Sequence, residues 1–264
     1  MKILNTIKSQ KRKEIEERKN LYPVKLLEKS IYFDSPCVSF KKYICDSNRS
    51  GIIAEFKRRS PSKGIINAYA NAEKITLGYM QAGAAALSVL TDEKFFGAQK
   101  DDLTTARKFN YCPILRKDFI LDEYQIIEAK SIGADAILLI ASILSKDTIS
   151  KLTNFSHSLG MEVLLEMHTE EEVMLNNDTM ADLAGINNRN LDTFEVDVEN
   201  SIRLAQLLPD AIVKVAESGI NSATTISMLK NNGFSGFLIG EYFMQDSNPA
   251  QKCGELIKQL TYEN

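Results

Sequence analysis

From about Gly51 to the carboxyl end, the chain repeats one hydropathy rhythm. Short runs rich in Ile, Leu, Val and Ala alternate with longer segments of mixed polarity. Eight apolar runs stand out: IIAEF, AALSVL, PILRK, DAILLI, EVLLE, LAGIN, AIVKVAE and GFLIGE. Between them, segments such as DEYQIIEAKSIGA and SATTISMLKNNGF place apolar residues at helical spacing, with Gly near the end. Strands alternating with helices of this length predict parallel βαβ units. Near-continuous apolar strands fit a sheet covered on both faces. Eight units predict an α/β fold, a single (βα)8 TIM barrel, with a doubly wound sheet as the main competitor.

The first 50 residues break the rhythm. IKSQKRKEIEERK is highly charged with sparse apolar positions and reads as a largely exposed helix. YPVKLLEK begins a second short helical piece, with Pro23 near its first turn. Residues 1–50 are therefore expected to form an amino-terminal helical extension, packed outside the barrel or across one end. Residues 51–264 form the barrel, the whole being one structural domain. Glu14, Glu16 and Glu17 interrupt the basic face, which argues against an interfacial membrane helix.

Composition narrows the function classes. The 264 residues are 44% hydrophobic and 25% charged, with a formal net charge of -3, so no basic stripe marks a nucleic-acid partner. Any anionic ligand needs a local cluster of donors. Cys37, Cys45, Cys112 and Cys253 are scattered without metal-type spacing, as in a reducing compartment. No signal-type apolar region opens the chain, and no apolar run approaches the roughly 20 residues that span a bilayer. A cytoplasmic protein, monomer or weak homo-oligomer, is expected, with no membrane partner.

Charge recurs where the strands end. Residues at i and i+2 of a strand share a face, so Glu55 and Lys57 stand side by side. Arg116 and Lys117 close the third run, Glu166 the fifth, Asn187 and Arg189 the sixth, Glu217 the seventh and Gly240 the eighth. In a barrel these carboxyl ends lie on one face, where active sites of this fold are built. A single charged residue there is ordinarily the point where a chain meets water, and Arg116 or Glu55 alone would be read that way. Their recurrence from strand to strand points to a site. Carboxylates beside lysines keep a desolvated ammonium charged, and burial or neighbouring cations lower its pKa until it can donate a proton.

Two loops suit an anion. ESGINSATT turns through Gly219 and enters a helix at about Ser222, and LIGEYF turns at Gly240 before another helical segment. Loops after strands seven and eight are the recurrent phosphate site of this fold. KRRSPSKG is either a plain connection or a lid carrying Ser60 and Lys63. Phe95, Phe96 and Phe119 follow strands two and three, where they are core or the wall for a flat ring. His168 has acidic neighbours, but no second His or Cys stands at ligand spacing, so no metal site is expected; histidine base catalysis stays open. No dinucleotide fingerprint is present in a strand–turn–helix context.

Taken in order, IAEFKRRSPSKG, SVLTDEKFFG, LRKDFILDEYQI, EVLLEMHTEEE, GINNRNLDTFEVD, AESGI and LIGEYFM closely resemble the motifs of indole-3-glycerol phosphate synthases over nearly the whole chain. The resemblance implies a barrel enzyme of tryptophan biosynthesis without metal or organic cofactor. Its substrate would be a phosphosugar, 1-(2-carboxyphenylamino)-1-deoxyribulose 5-phosphate, converted to indole-3-glycerol phosphate with loss of carbon dioxide and water. By motif position, Lys117 looks like the family's general acid, and Lys57 like the second lysine, holding the substrate carboxylate and assisting loss of the hydroxyl. Glu166 looks like the carboxylate that takes or relays protons, and Glu55, Asn187 and Glu217 like the residues that orient these groups.

Ser60 and Arg189 fall at positions for the carboxylate side, and Ser218, Gly219 and Gly240 at positions for the phosphate. Phe96, Phe119, Leu138 and Leu191 make the implied apolar wall. Three departures stand out: Gly97-Ala98-Gln99 where FFxGS is usual, Ala216 for a common Ser, and Arg59 for a small residue. A phosphoribosylanthranilate isomerase would need a Cys near the end of strand one, where Glu55 and Lys57 stand. A non-catalytic relative would be expected to lack Lys117 or Glu166.

Overall fold

The computed structural model describes residues 2–189 and 195–262. The eight apolar runs form strands β1 (Ile52–Phe56), β2 (Ala86–Leu90), β3 (Ile114–Lys117), β4 (Ala136–Ile140), β5 (Glu162–Met167), β6 (Leu183–Asn187), β7 (Val213–Glu217) and β8 (Phe234–Ile239). All pair in parallel, β1 closing on β8, so the sheet is a complete barrel. The doubly wound alternative is thereby excluded. Ile52 to Phe56 are buried throughout, as are most strand residues, because one face meets the barrel interior and the other the helices.

The helices start where polar caps allow. Asn71, Ser145, Thr169, Asp197 and Ser222 each accept a backbone N–H from the first turn of the helix that follows. Asp122 and Gln125 form a reciprocal capping box at Glu123–Ser131. Segment KRRSPSKG folds as a small hairpin, Arg59–Ser60 against Gly64–Ile65. Arg58 anchors it from below through Asp102 and the Ala70 carbonyl.

The amino-terminal helix, Lys2–Leu21, is exposed or half-buried along most of its length but buries Leu4, Ile7, Lys11 and Ile15 along one face. That spacing is helical, but a lysine occupies one of its four places, and the apolar count alone hides the stripe. Lys11 makes ion pairs with Asp92 at 2.7 Å and Asp118 at 2.9 Å, both in loops at the strand carboxyl ends. The helix therefore crosses the mouth of the barrel. The segment after it runs to the opposite end, where Val38 N–H donates to Asp135 and Lys41 N–H to Glu162. There Phe40 and Ile44, buried in the helix Phe40–Cys45, pack against Ile53, Val213 and Val215 in one apolar cluster.

Candidate active site

At the carboxyl ends of the strands lies a cavity of about 300 Å³. Lys117, the last residue of β3, points into it. Its Nζ lies 2.7 Å from Glu166 Oε2 of β5 and 2.5 Å from Glu217 Oε2 of β7. Asn187 Nδ2, from β6, donates to the second Glu166 oxygen at 3.0 Å. Across the site, Lys57 Nζ pairs with Glu55 Oε1 at 2.7 Å, the arrangement that their i, i+2 spacing predicts.

Burial and charge pull these groups apart. Desolvation opposes the Lys117 charge, but Glu166, Glu217 and Glu55 outweigh it and hold the ammonium above its ordinary range. Glu166 is likewise desolvated, yet Lys117 and His168 keep it well below the usual carboxylate range. Burial pushes Glu217 up to about 7; Lys117 pulls it down, but repulsion from Glu166 and Glu55 adds to the rise. Two carboxylates on one lysine, one firmly ionised and one able to hold a proton near neutrality, are a pattern of acid–base sites.

Two glycines make room for this cluster. A Cβ on Gly240 would overlap the Glu55 side chain, and one on Gly185 the Glu217 carboxylate. Gly240 thus serves Glu55 as well as the loop it opens. Ser218 and Gly219 both carry positive φ, 68° and 71°, in the turn after β7. Asn188 Nδ2 donates to the Ser218 carbonyl at 2.6 Å and pins that turn. A non-glycine residue in the left-handed region is a strained choice, and here it lies on the cavity wall.

Fourteen of the sequence-predicted site residues line this cavity: Lys57, Lys117, Glu55, Glu166, Asn187 and Glu217 with Ser60, Phe96, Phe119, Leu138, Arg189, Ser218, Gly219 and Gly240. Leu191 lies outside the described residues. The Phe96 and Phe119 rings stand 6.1 Å apart between centroids, and Arg189 meets Glu241 at 3.3 Å. Lys63 reaches the same Glu241 at 3.7 Å. Gly97 ends the short helix Glu93–Phe96, and the Arg59 stem lies over it, so two of the departures from the family pattern touch one another.

Two readings need correction. Arg116 does not face the mouth and does not meet water: it is buried on the outer side of β3. There it donates to Thr91 Oγ1, the Gln125 carbonyl, Asp118 and Glu128. Sequence reading also missed Leu4 and Ile7, which reach the cavity from the amino-terminal helix. Their signal was the 4-7-11-15 spacing.

The fold is a closed (βα)8 barrel whose cavity at the strand carboxyl ends gathers Lys57 and Lys117 with Glu55, Glu166 and Glu217, where enzymes of this fold build their active sites. A family model described as indole-3-glycerol phosphate synthase matches residues 4–256. The indole-3-glycerol phosphate synthase of Bacteroides thetaiotaomicron is 48% identical over 258 residues, 98% of each chain. That of Nautilia profundicola is 42% identical over 247 residues, covering 93% of this chain and 95% of its own. The chain belongs to the indole-3-glycerol phosphate synthase family. Among solved structures, 3-hexulose-6-phosphate synthase from Salmonella typhimurium superposes with a TM-score of 0.64 at 13% identity, over 81% of this chain and 99% of that one, a likeness of fold.

Proposed function

We propose that this chain closes the indole ring of 1-(2-carboxyphenylamino)-1-deoxyribulose 5-phosphate, releasing carbon dioxide and water to give indole-3-glycerol phosphate. It is a carboxy-lyase of tryptophan biosynthesis. The observation that carries the residue assignments is Lys117, held charged by three carboxylates in a cavity with an aromatic wall.

In this reading the phosphate sits by Ser218, Gly219 and Gly240, and the anthranilate ring against Phe96, Phe119 and Leu138. Leu191 belongs to the same proposed wall. The ring carbon bearing the carboxylate attacks the ribulose ketone. Lys117 gives its proton to the oxygen as the carbon–carbon bond forms, where an ammonium best stabilises the developing alkoxide. Loss of carbon dioxide leaves its electron pair in the ring and restores aromaticity. Lys57, steadied by Glu55, holds the substrate carboxylate with Ser60 and Arg189, then assists departure of the hydroxyl as water. Glu166, steadied by Asn187, takes the proton lost from the adjacent carbon, and Glu217 orients Lys117.

Residues 1–50 act as the extension and 51–264 as the barrel of one structural domain. No described helix is long and apolar enough to cross a membrane. We place the reaction in the cytoplasm, carried out by a monomer or weak homo-oligomer on its phosphosugar alone.

Supplying that substrate and following indole fluorescence tests the function: wild-type protein gives signal, and silence from folded protein overturns the reading. Separate Lys57→Ala and Lys117→Ala variants test the division of labour. Lys57→Ala is expected to accumulate the ring-closed intermediate and Lys117→Ala to stop before it; arrest of both at one step would show the assignment wrong.

A further inference from the structure

His168 follows β5, two residues beyond Glu166 and on the same side of the chain. It is buried behind Glu166 and does not line the cavity. Its Nε2 lies 3.1 Å from Glu166 Oε1, and its Nδ1 lies 3.6 Å from Glu172 Oε2, on the helix Glu170–Asn176. These are charge contacts rather than well-aimed hydrogen bonds. A neutral imidazole has one N–H and one lone pair, so it would turn a lone pair toward a carboxylate. With an acidic oxygen beside each nitrogen, the ring fits its environment only as the cation. Glu172 is itself fixed, since its Oε2 accepts the His168 backbone N–H at 2.7 Å.

We propose that His168 is a positioning residue for the synthase reaction: an imidazolium held between Glu172 and Glu166 that fixes the Glu166 carboxylate beside Lys117. This rests on the functional reading above and assigns a part of the machinery to two residues outside the cavity. Glu166 divides its oxygens, Oε2 to Lys117 and Oε1 to Asn187 and His168. A carboxylate set by three partners presents one oxygen in one place. Around the ring stand Glu166 beside its Nε2 and Glu172, on the following helix, beside its Nδ1; Asn187 shares Glu166 Oε1 with the ring, while Lys117, itself bonded to Glu217, takes Oε2. Burial disfavours the imidazolium, but the two carboxylates outweigh it and push it up to about 9. The cation is thus intact at neutral pH and is lost as pH rises through that value.

The chain has two histidines, so their NMR signals are readily separated, with His157→Gln giving the assignment. In folded wild-type protein His168 should remain an imidazolium up to about pH 9. In Glu172→Gln it should titrate about one pH unit lower, the effect of removing one facing charge. His168→Gln should lower kcat about tenfold with KM within about twofold, since orientation rather than binding is lost. The fall of kcat above pH 9 should vanish in that variant and move down with the titration in Glu172→Gln. Should His168→Gln fail to fold, Glu172→Gln carries both readouts. An active wild-type enzyme whose His168 titrates near its ordinary value overturns the positioning role alone. So does a His168→Gln enzyme with unchanged kcat and pH profile. Wild-type protein without synthase turnover overturns the functional reading, and the positioning role with it.

Discussion

Arg116 and Lys117 are consecutive residues of one strand, and they end in two different buried charge clusters. Arg116 points outward into a network in which Glu128 and Asp118 face it, Arg18 backs Glu128, and Lys11 joins Asp118 to Asp92. Glu14 adds a fourth carboxylate on Lys11 at 3.0 Å, and of these groups only Asp118 reaches the wall of the cavity. Burial raises the Asp118 carboxyl, but Lys11 and Arg116 hold it far below its ordinary range. Lys117 points inward, where its carboxylates do not behave alike. Glu166 is held ionised while Glu217 rises to about 7. Burial is shared by the two clusters and so does not distinguish them. What marks the site is that two carboxylates on one lysine titrate apart on the cavity wall. The Arg116 cluster fastens the amino-terminal helix to the barrel.

The comparison can be broken at either end. The largest effect is expected from Glu166→Gln, which removes the proposed proton acceptor. Its kcat should fall about 10³-fold, within the span of general acid–base catalysis, while its unfolding midpoint stays close to wild type. Steady-state turnover alongside urea unfolding would reveal any departure.

Arg116→Met should do the reverse. It leaves Asp118 with Lys11 and Glu128 with Arg18, so the cost falls at the low end for a broken buried pair, about 3 kcal/mol of stability. Turnover per folded molecule should change little, and a large loss of kcat would show that Arg116 reaches the chemistry.

Lys11→Met keeps the apolar stem but frees Asp92 and weakens the docking of the helix. About 2 kcal/mol of stability should go, since a hydrogen-bonded charge is left with fewer partners. KM should rise as well, because Leu4 and Ile7 belong to the cavity wall. An unchanged KM would mean that the helix holds without its lysine. Phe96→Ala should cost less, about tenfold in KM, on the scale of a partly buried aromatic contact.

The smallest effect is a pH limb. Glu217 loses its charge as pH falls through about 7, and with it the full attraction that orients Lys117. Turnover should decline on that side, and Glu217→Gln should flatten the decline. A limb that persists in that variant belongs to another group.

Much of this division was legible in the chain. The strands could be read because each is apolar on both faces, so IIAEF or DAILLI needs no periodicity to declare itself. The site could be read because a barrel gathers its strand ends, and Glu55, Lys57, Glu166 and Glu217 fall there. The outward direction of Arg116 was less legible. Alternation sets it opposite to Lys117, but its partners Glu128 and Asp118 gain meaning only once the helix Glu123–Ser131 is laid against β3. Lys11 and Asp118 are far apart in sequence, and a lysine in an apolar stripe looks like an interruption. His168 offers no ligand spacing in the sequence, and its surroundings are two carboxylates, Glu166 and Glu172, whose approach to the ring shows only in three dimensions. Gly240 was read as a place for a ligand to approach, and the close neighbour it admits is Glu55.

The most direct test of the account is turnover of Lys117→Met, measured by indole fluorescence on protein whose circular dichroism matches folded wild type. The account predicts a loss of about 10³-fold or more in kcat per folded molecule from removing the proposed proton donor. Near-wild-type turnover in that folded variant would contradict it, and would return Lys117 to the kind of role that Arg116 has.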